Sequence, residues 1–319
     1  MKTLLVLIAL VVLFALHLLL PWAPLAELRA ANPELASTLL VELRLPRSVL
    51  AVGYGAALGV TGAALQALFA NPLASPDITG STSGAALGAV VGAYWLGLAS
   101  PLGMALAGAL GAMAALVLLL GLAGRNAEPA SLLLAGLAVS LAAGAGTSLA
   151  LALAPSPFAF YDAFDWLMGS FSDRSLEQAA AALVPAAAAS LLILRRADAL
   201  DLLVLGEDVV ASAGLRPRRL GIEIVVLSAI AVGACVAVCG AIGFVGLIAP
   251  VIARRLSAGH PGRAMLPAAA IGGALVLLAD LVSRTVPIDR AIPVGVITTL
   301  AGTPLFIAIL LSLRRRLTS

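Results

Sequence analysis

Lysine is almost missing from this chain of 319 residues, and the only one is Lys2. A Walker A loop needs a lysine that reaches the phosphates of ATP, so hydrolysis by such a loop is excluded. Any ATP-driven work must borrow its hydrolysis from another subunit. Histidine is nearly as scarce: His17 and His260 are too few and too far apart for a metal cluster. Cys235 and Cys239 stand four apart in an apolar run and read as small packing residues, not as a disulfide or half of a metal site. Aromatic residues make up 4% of the chain and charged residues 11%, while glycine and alanine abound, which suits closely packed helices more than a ligand cage. The net charge of +3 reads as asymmetry between loops, with no nucleic-acid affinity implied.

What fills the chain instead is apolar. Hydrophobic residues reach 62% and the mean hydropathy is +1.11. Eight stretches carry no Lys, Arg, Asp or Glu, among them Ser48–Pro76, Ile78–Gly124 and Ile224–Ala253. A helix needs roughly 20 apolar residues to cover a hydrocarbon core about 30 Å thick. The expectation is an all-α polytopic membrane protein, a single transmembrane domain over 1–319. Proline disfavours helix in the residue before it, so Ser100-Pro101 divides one long stretch; glycines at 240–246 divide another. Ten spans follow, several of them short: Leu4–Leu20, Val49–Phe69, Gly84–Leu98, Leu102–Leu122, Ser131–Leu153, Leu176–Leu194, Ile222–Val238, Ile242–Arg254, Leu266–Val282 and Val294–Leu313. The apolar region after Lys2 is longer than a signal-peptide core of roughly 7–15 residues, which favours a retained first span.

Basic residues in the loops set the orientation. With the N-terminus inside, thirteen Lys and Arg face the cytoplasm and six (Arg29, Arg44, Arg47, Arg174, Arg284 and Arg290) face out. Both termini are then cytoplasmic. A short echo, Val60-Thr-Gly62-Ala63 before Pro72 and Val238-Cys-Gly240-Ala241 before Pro250, is offset by 178 residues. Five helices lie between the copies, which suggests two five-helix halves in inverted repeat. Gly80, Gly84, Gly88 and Gly92, and likewise Gly55 and Gly59, recur every four residues and read as packing faces.

Three segments are more specific: Leu43-Arg-Leu-Pro-Arg47 with Gln66-Ala-Leu-Phe-Ala-Asn-Pro-Leu-Ala-Ser-Pro-Asp-Ile-Thr-Gly80; Leu205-Gly-Glu-Asp208 through Ala213-Gly-Leu215; and Gly240-Ala-Ile-Gly-Phe-Val-Gly-Leu-Ile-Ala-Pro250 with Ala279-Asp-Leu-Val-Ser-Arg284 and Pro293-Val-Gly-Val-Ile-Thr298. In this order, from about Leu43 to the C-terminus, they closely resemble the permease subunits of binding-protein-dependent ABC importers for iron-siderophores, haem and cobalamin, the FecCD family. The resemblance implies a type II importer fold with ten helices, and a second permease subunit, identical or paralogous. It also implies two ATPase subunits that carry ATP and Mg, and an extracytoplasmic substrate-binding protein. No cofactor is expected on this chain, and no catalysis by it.

The resemblance also implies roles. Arg44, Arg47 and Arg284 match arginines that meet acidic residues of the binding protein; exposed guanidiniums suit that task, although Asp280 and Arg284 could instead pair locally at i, i+4 spacing. Gly206, Glu207, Asp208, Val209, Val210, Gly214 and Leu215, in the loop of about 195–220, match two short helices that dock on the ATPase; a solvated loop is the other reading. Asn126, Glu128, Pro129 and Ala130 match the cytoplasmic gate, without the hydroxyl residues of some relatives. Gln66, Ser140, Thr147 and Thr298 are candidate pathway residues, though hydroxyls in helices often bond their own backbone. Val251 and Ala291 depart from the His and Glu common at those positions. Asn-Pro-Leu-Ala-Ser-Pro-Asp is similar to the ferric-siderophore branch, with haem and cobalamin as the alternatives. The absence of a chain of buried carboxylates weakens an ion-coupled carrier, and no acid–base pair supports an intramembrane enzyme.

Overall fold

A computed structural model describes residues 2–98, 100–124, 128–285 and 292–317, and among these the chain is all-helical, with no strand. The order is α1 (Lys2–Leu19), α2 (Trp22–Ala31), α3 (Pro33–Thr38), a π-helical turn at Leu39–Arg44, α4 (Leu45–Leu68), a 3₁₀ turn at Pro76–Thr79, α5 (Ser81–Trp95), α6 (Pro101–Ala123) and α7 (Pro129–Ala152). Then come α8 (Pro157–Leu167), α9 (Leu176–Leu194), α10 (Ala197–Leu203), α11 (Glu207–Ser212), α12 (Pro217–Cys239), α13 (Val245–Leu256), α14 (Pro261–Thr285) and α15 (Val294–Leu317).

Each expected span has its helix, and the boundaries follow from local chemistry. Proline opens α6, α7 and α12 at the first helical position, where its missing N–H costs nothing. Ser100 caps α6 by accepting from the Gly103 N–H, and Ser175 with Gln178 forms a reciprocal capping box on α9. Gly124 and Gly240 terminate α6 and α12 at positive φ. Among the described residues six helices are long and apolar enough to cross a bilayer alone, and the bent α1–α2 pair makes a seventh candidate. The eighth expected span is shorter than its sequence suggested. It starts at Val245, three residues later than expected, because Gly240–Gly243 leave the helix, so α13 has 12 residues in place of 13, while α5 has the expected 15.

Helices α4, α12 and α14 form the centre of the bundle. Lipid offers no hydrophobic pull between helices, so packing depends on how closely backbones approach. A side chain on Gly55 would run into the Gly272 carbonyl of α14, and one on Gly59 into that of Ala268. Gly84 and Gly88 of α5 meet Gly111 and Ala107 of α6 in the same way, so the four-residue glycine ladder is a packing face as expected. Gly62 abuts the Gly246 carbonyl at the start of α13. The sequence echo does not survive at residue level: Gly62 lies inside α4, whereas Gly240 is the residue past the end of α12. Cys235 and Cys239 are buried and free.

Replacing Gly272 with valine is expected to cost about 1–3 kcal/mol through overpacking. Thermal unfolding of the purified protein in detergent reads this, with Gly121→Ala, whose added methyl meets nothing within 4 Å, as the unaffected comparison.

Candidate functional site

Three regions carry the polar chemistry of the bundle. The first is a buried ion cluster at the C-terminal end of α14. Asp280 is fully buried, and its Oδ2 accepts from Arg47 Nε at 2.8 Å and from His17 Nε2 at 2.8 Å, while its Oδ1 accepts from Arg47 Nη2 at 2.9 Å. Arg284 stands one helical turn on, with Nε 3.5 Å from Oδ2, and its Nη2 donates to the His17 carbonyl at 2.8 Å. Arg47 Nη1 also donates to Ser172 Oγ, and His17 Nδ1 lies 2.8 Å from Ser48 Oγ. One carboxylate thus joins α1, α4, α14 and the segment before α9.

The sequence reading of these arginines as exposed guanidiniums needs correction. The side chains of Arg47 and Arg284 are only 17% and 12% exposed, because a buried Asp must be paired. The local Asp280–Arg284 contact is present and extends to Arg47 and His17. Arg44 caps the carbonyls of Leu18, Leu19 and Pro21 at the end of α1. Within the cluster itself two guanidiniums face one carboxylate. His17 is the participant that sequence reasoning missed, having been judged only as a metal ligand. Its position in the last turn of an apolar helix whose one charged residue is Lys2 at the opposite end is the signal.

The second region is a cavity of about 1070 Å³ beside this cluster, walled by Tyr161, Phe164, Asp165, Ser170, Ser172 and Ser283 among others. Helix α8 supplies its aromatic side. That helix was not expected, yet it holds five of the chain's fourteen aromatic residues within ten positions, in a chain otherwise poor in them. Backbone bonds hold the wall in place: Ser170 N–H donates to the Cys239 carbonyl at 2.8 Å and Val294 N–H to that of Gly169 at 3.0 Å.

None of the four candidate pathway residues lines this cavity. Gln66 is buried and its Nε2 donates to the Leu247 carbonyl across the α4–α13 contact. Ser140 Oγ donates to the Asp77 carbonyl, and Thr147 and Thr298 bond their own helices. These groups are spread through the bundle and form no common surface.

The third region lies at the N-terminal end of α14. There two short helices stand side by side, but only α11 falls within Gly206–Leu215, where both were expected; α10 precedes that stretch, and Gly206 at φ +110° and Gly214 at φ +80° bracket α11. Asp201 Oδ1 accepts from the Gly262 N–H at 2.7 Å, and Gly262 allows the Ala197 carbonyl to approach α14 closely. Glu207 and Asp208 are exposed in the first turn of α11. Val210 is fully buried, so it supports the loop from within instead of offering contact; Val209 and Leu215 are half-buried. The free apolar surface is Val204 and Leu205, 64% and 68% exposed. Of the gate residues, Glu128, Pro129 and Ala130 form the start of α7, while Asn126 lies outside the described residues, as do Arg290 and Ala291.

Residues 3–312 match the model of the FecCD transport family. The chain belongs to that family. It is 37% identical to the cobalamin import system permease protein BtuC of Halobacterium salinarum, over 91% of this chain and 79% of that one. It is also 37% identical to the achromobactin transport system permease protein CbrC of Dickeya dadantii, over 93% and 85%. Among solved structures it overlays on an inward-facing metal-chelate type ABC transporter with a TM-score of 0.82 and 29% identity, covering 96% of this chain and 98% of that one. The protein is a multi-pass ABC importer permease of the type II fold.

Removing the carboxylate by Asp280→Asn leaves two largely buried guanidiniums facing each other and is expected to destabilise the fold by about 3–5 kcal/mol. Breaking the exposed Arg196–Glu223 pair, 2.8 Å apart, by Arg196→Gln should cost no more than about 1 kcal/mol. Thermal unfolding of both variants in the same detergent checks the contrast.

Proposed function

We propose that this chain carries a ferric-siderophore complex from an extracytoplasmic binding protein across a bacterial cytoplasmic membrane, with both termini inside. ATP and Mg bind to partner ATPase subunits, because a single lysine at position 2 offers no Walker A loop. The observation that carries this reading is the arrangement of α14. One end is bonded through Gly262 to the α10–α11 pair and the other end holds the Asp280 cluster. Movement imposed on α10–α11 by a nucleotide-binding partner therefore has a packed, hydrogen-bonded route to the opposite face. The thirteen-to-six distribution of basic residues supports α10–α11 and the start of α7 lying in the cytoplasm, where they serve as coupling segment and gate.

At the other face, the local cluster of Arg44, Arg47 and Arg284 around one carboxylate suits an acidic group on a partner. The binding protein's carboxylates approach a rim whose guanidiniums are already oriented by Asp280. A second permease subunit completes the pathway. Asp280 is fully buried, and its valences are taken by arginine and histidine. That favours external power over ion coupling. A weakly polar route suits one-way passage of a large hydrophilic chelate, which a tight site would trap. Cobalamin is the second reading, since the chain is as similar to a cobalamin permease as to an achromobactin permease, 37% identical to each.

Proteoliposomes holding the permease, its ATPase and its binding protein are expected to accumulate ferric siderophore only with ATP. Preferential uptake of cobalamin would move the cargo assignment, and uptake by the isolated chain under an ion gradient alone would refute the mechanism. Gly206→Val strains a backbone at φ +110° while its side chain meets nothing within 4 Å. Uptake by this variant should fall at least roughly tenfold, with membrane insertion intact.

A further inference from the structure

The first turns of α12 open onto a cavity of about 550 Å³ walled by Arg216, Arg218, Arg219, Ile222 and Glu223. All three arginines are exposed, and among the described residues none of their side chains has a hydrogen bond or an ion pair. The acid in the wall is already committed, since Glu223 Oε1 accepts from Arg196 Nε at 2.8 Å. The cavity therefore holds three uncompensated positive charges beside one neutralised pair. Clustered like charges of this kind repel one another unless an anion sits among them.

The depth of the cluster identifies the anion. From Leu220 to the end of α12 the one charged residue is Glu223, and the helix runs as an apolar span of the bundle. The guanidiniums are thus anchored within one or two turns of the hydrocarbon boundary, level with phospholipid headgroups. Ile222 adds an apolar patch on the hydrocarbon side of the same cavity. A group that is anionic at one end and apolar at the other matches both walls. An acidic protein surface would satisfy only the arginines.

We propose that this cavity binds the headgroup of an anionic phospholipid. Arginine forks grip the phosphate oxygens bidentately, and the lipid's acyl chains descend along Ile222. This site is independent of the cargo and of the coupling mechanism, and rests only on the chain being a membrane protein.

Native mass spectrometry of the full-length protein tests it, after delipidation in neutral detergent and titration with phosphatidylglycerol, cardiolipin or phosphatidylcholine. The anionic lipids are expected to bind at least roughly tenfold more tightly than phosphatidylcholine, with a preference that weakens as salt rises. Replacing Arg216, Arg218 and Arg219 together with glutamine should reduce anionic-lipid affinity on the order of a hundredfold, at about fivefold per arginine. Glu223→Gln frees Arg196 and should raise that affinity several-fold; this arm decides the matter if the triple variant does not fold. Equal affinity for phosphatidylcholine, an unchanged lipid preference in the triple variant, or an unchanged or lowered affinity in Glu223→Gln would each overturn the assignment. Inorganic phosphate displacing lipid at equal concentration would assign the site to a soluble anion instead. Loss of ATPase-subunit binding with lipid affinity unaltered would assign it to a protein partner.

Discussion

Everything in this bundle depends on how closely α4 and α14 can approach. Glycines on both helices, Gly55 and Gly59 against Gly272 and the Ala268 carbonyl, leave no room for a side chain along much of their crossing. In lipid such contact replaces the hydrophobic effect as the source of cohesion, since apolar side chains gain nothing by leaving acyl chains for one another. The two helices then share the Asp280–Arg47 pair at one end, where a slip of a single turn would separate carboxylate from guanidinium. Glycine contact sets the distance between the helices, and the ion pair sets their register.

Pairing a buried carboxylate is costly unless every lone pair is used. Asp280 meets this with two arginine nitrogens on separate oxygens and a histidine, and His17 in turn ties down the first helix. Stability alone is weak justification for such a cluster, because apolar residues of the same volume could pack as well. Its value lies in orientation. The side chains of Arg47 and Arg284 are held at the face where the sequence places the fewest basic residues, with one positive charge more than the carboxylate can neutralise. The cavity under α8 adjoins this same cluster through Ser172 and Ser283, so the charged rim and the polar opening belong to one structural unit.

Much of this was legible in the sequence, and the misses have physical causes. The helical spans could be read because charge-free runs broken by proline and glycine leave few alternatives in a bilayer. Helix α11 was foreshadowed by Gly206 and Gly214, whose positive φ angles turn the chain on either side of it. Partner choice was not legible. Asp280 lies more than two hundred residues along the chain from both Arg47 and His17, and only the packing of α1 and α4 on α14 brings them together. Val210 looked like contact surface because a short amphipathic loop does not declare which apolar residue turns inward. Helix α8 escaped because it is too short for a span, although its aromatic density set it apart.

An importer of this kind must reconcile rigidity with motion. Helix α14 is packed along its length and clasped at both ends, by Gly262 to Asp201 and by Asp280 to Arg47. Such a helix moves as one body more easily than it bends, which is the rigidity that the proposed coupling through α10–α11 requires. Compliance must then reside elsewhere: at Gly206 and Gly214, where side chains would meet open space, and at the start of α7, where Glu128 makes no capping bond. The stiff parts are those with satisfied polar groups and glycine contacts, and the yielding parts are those without. Among the described residues the oxygens of Asp280 are already taken by Arg47 and His17, which agrees with the proposal that motion is driven from outside the chain.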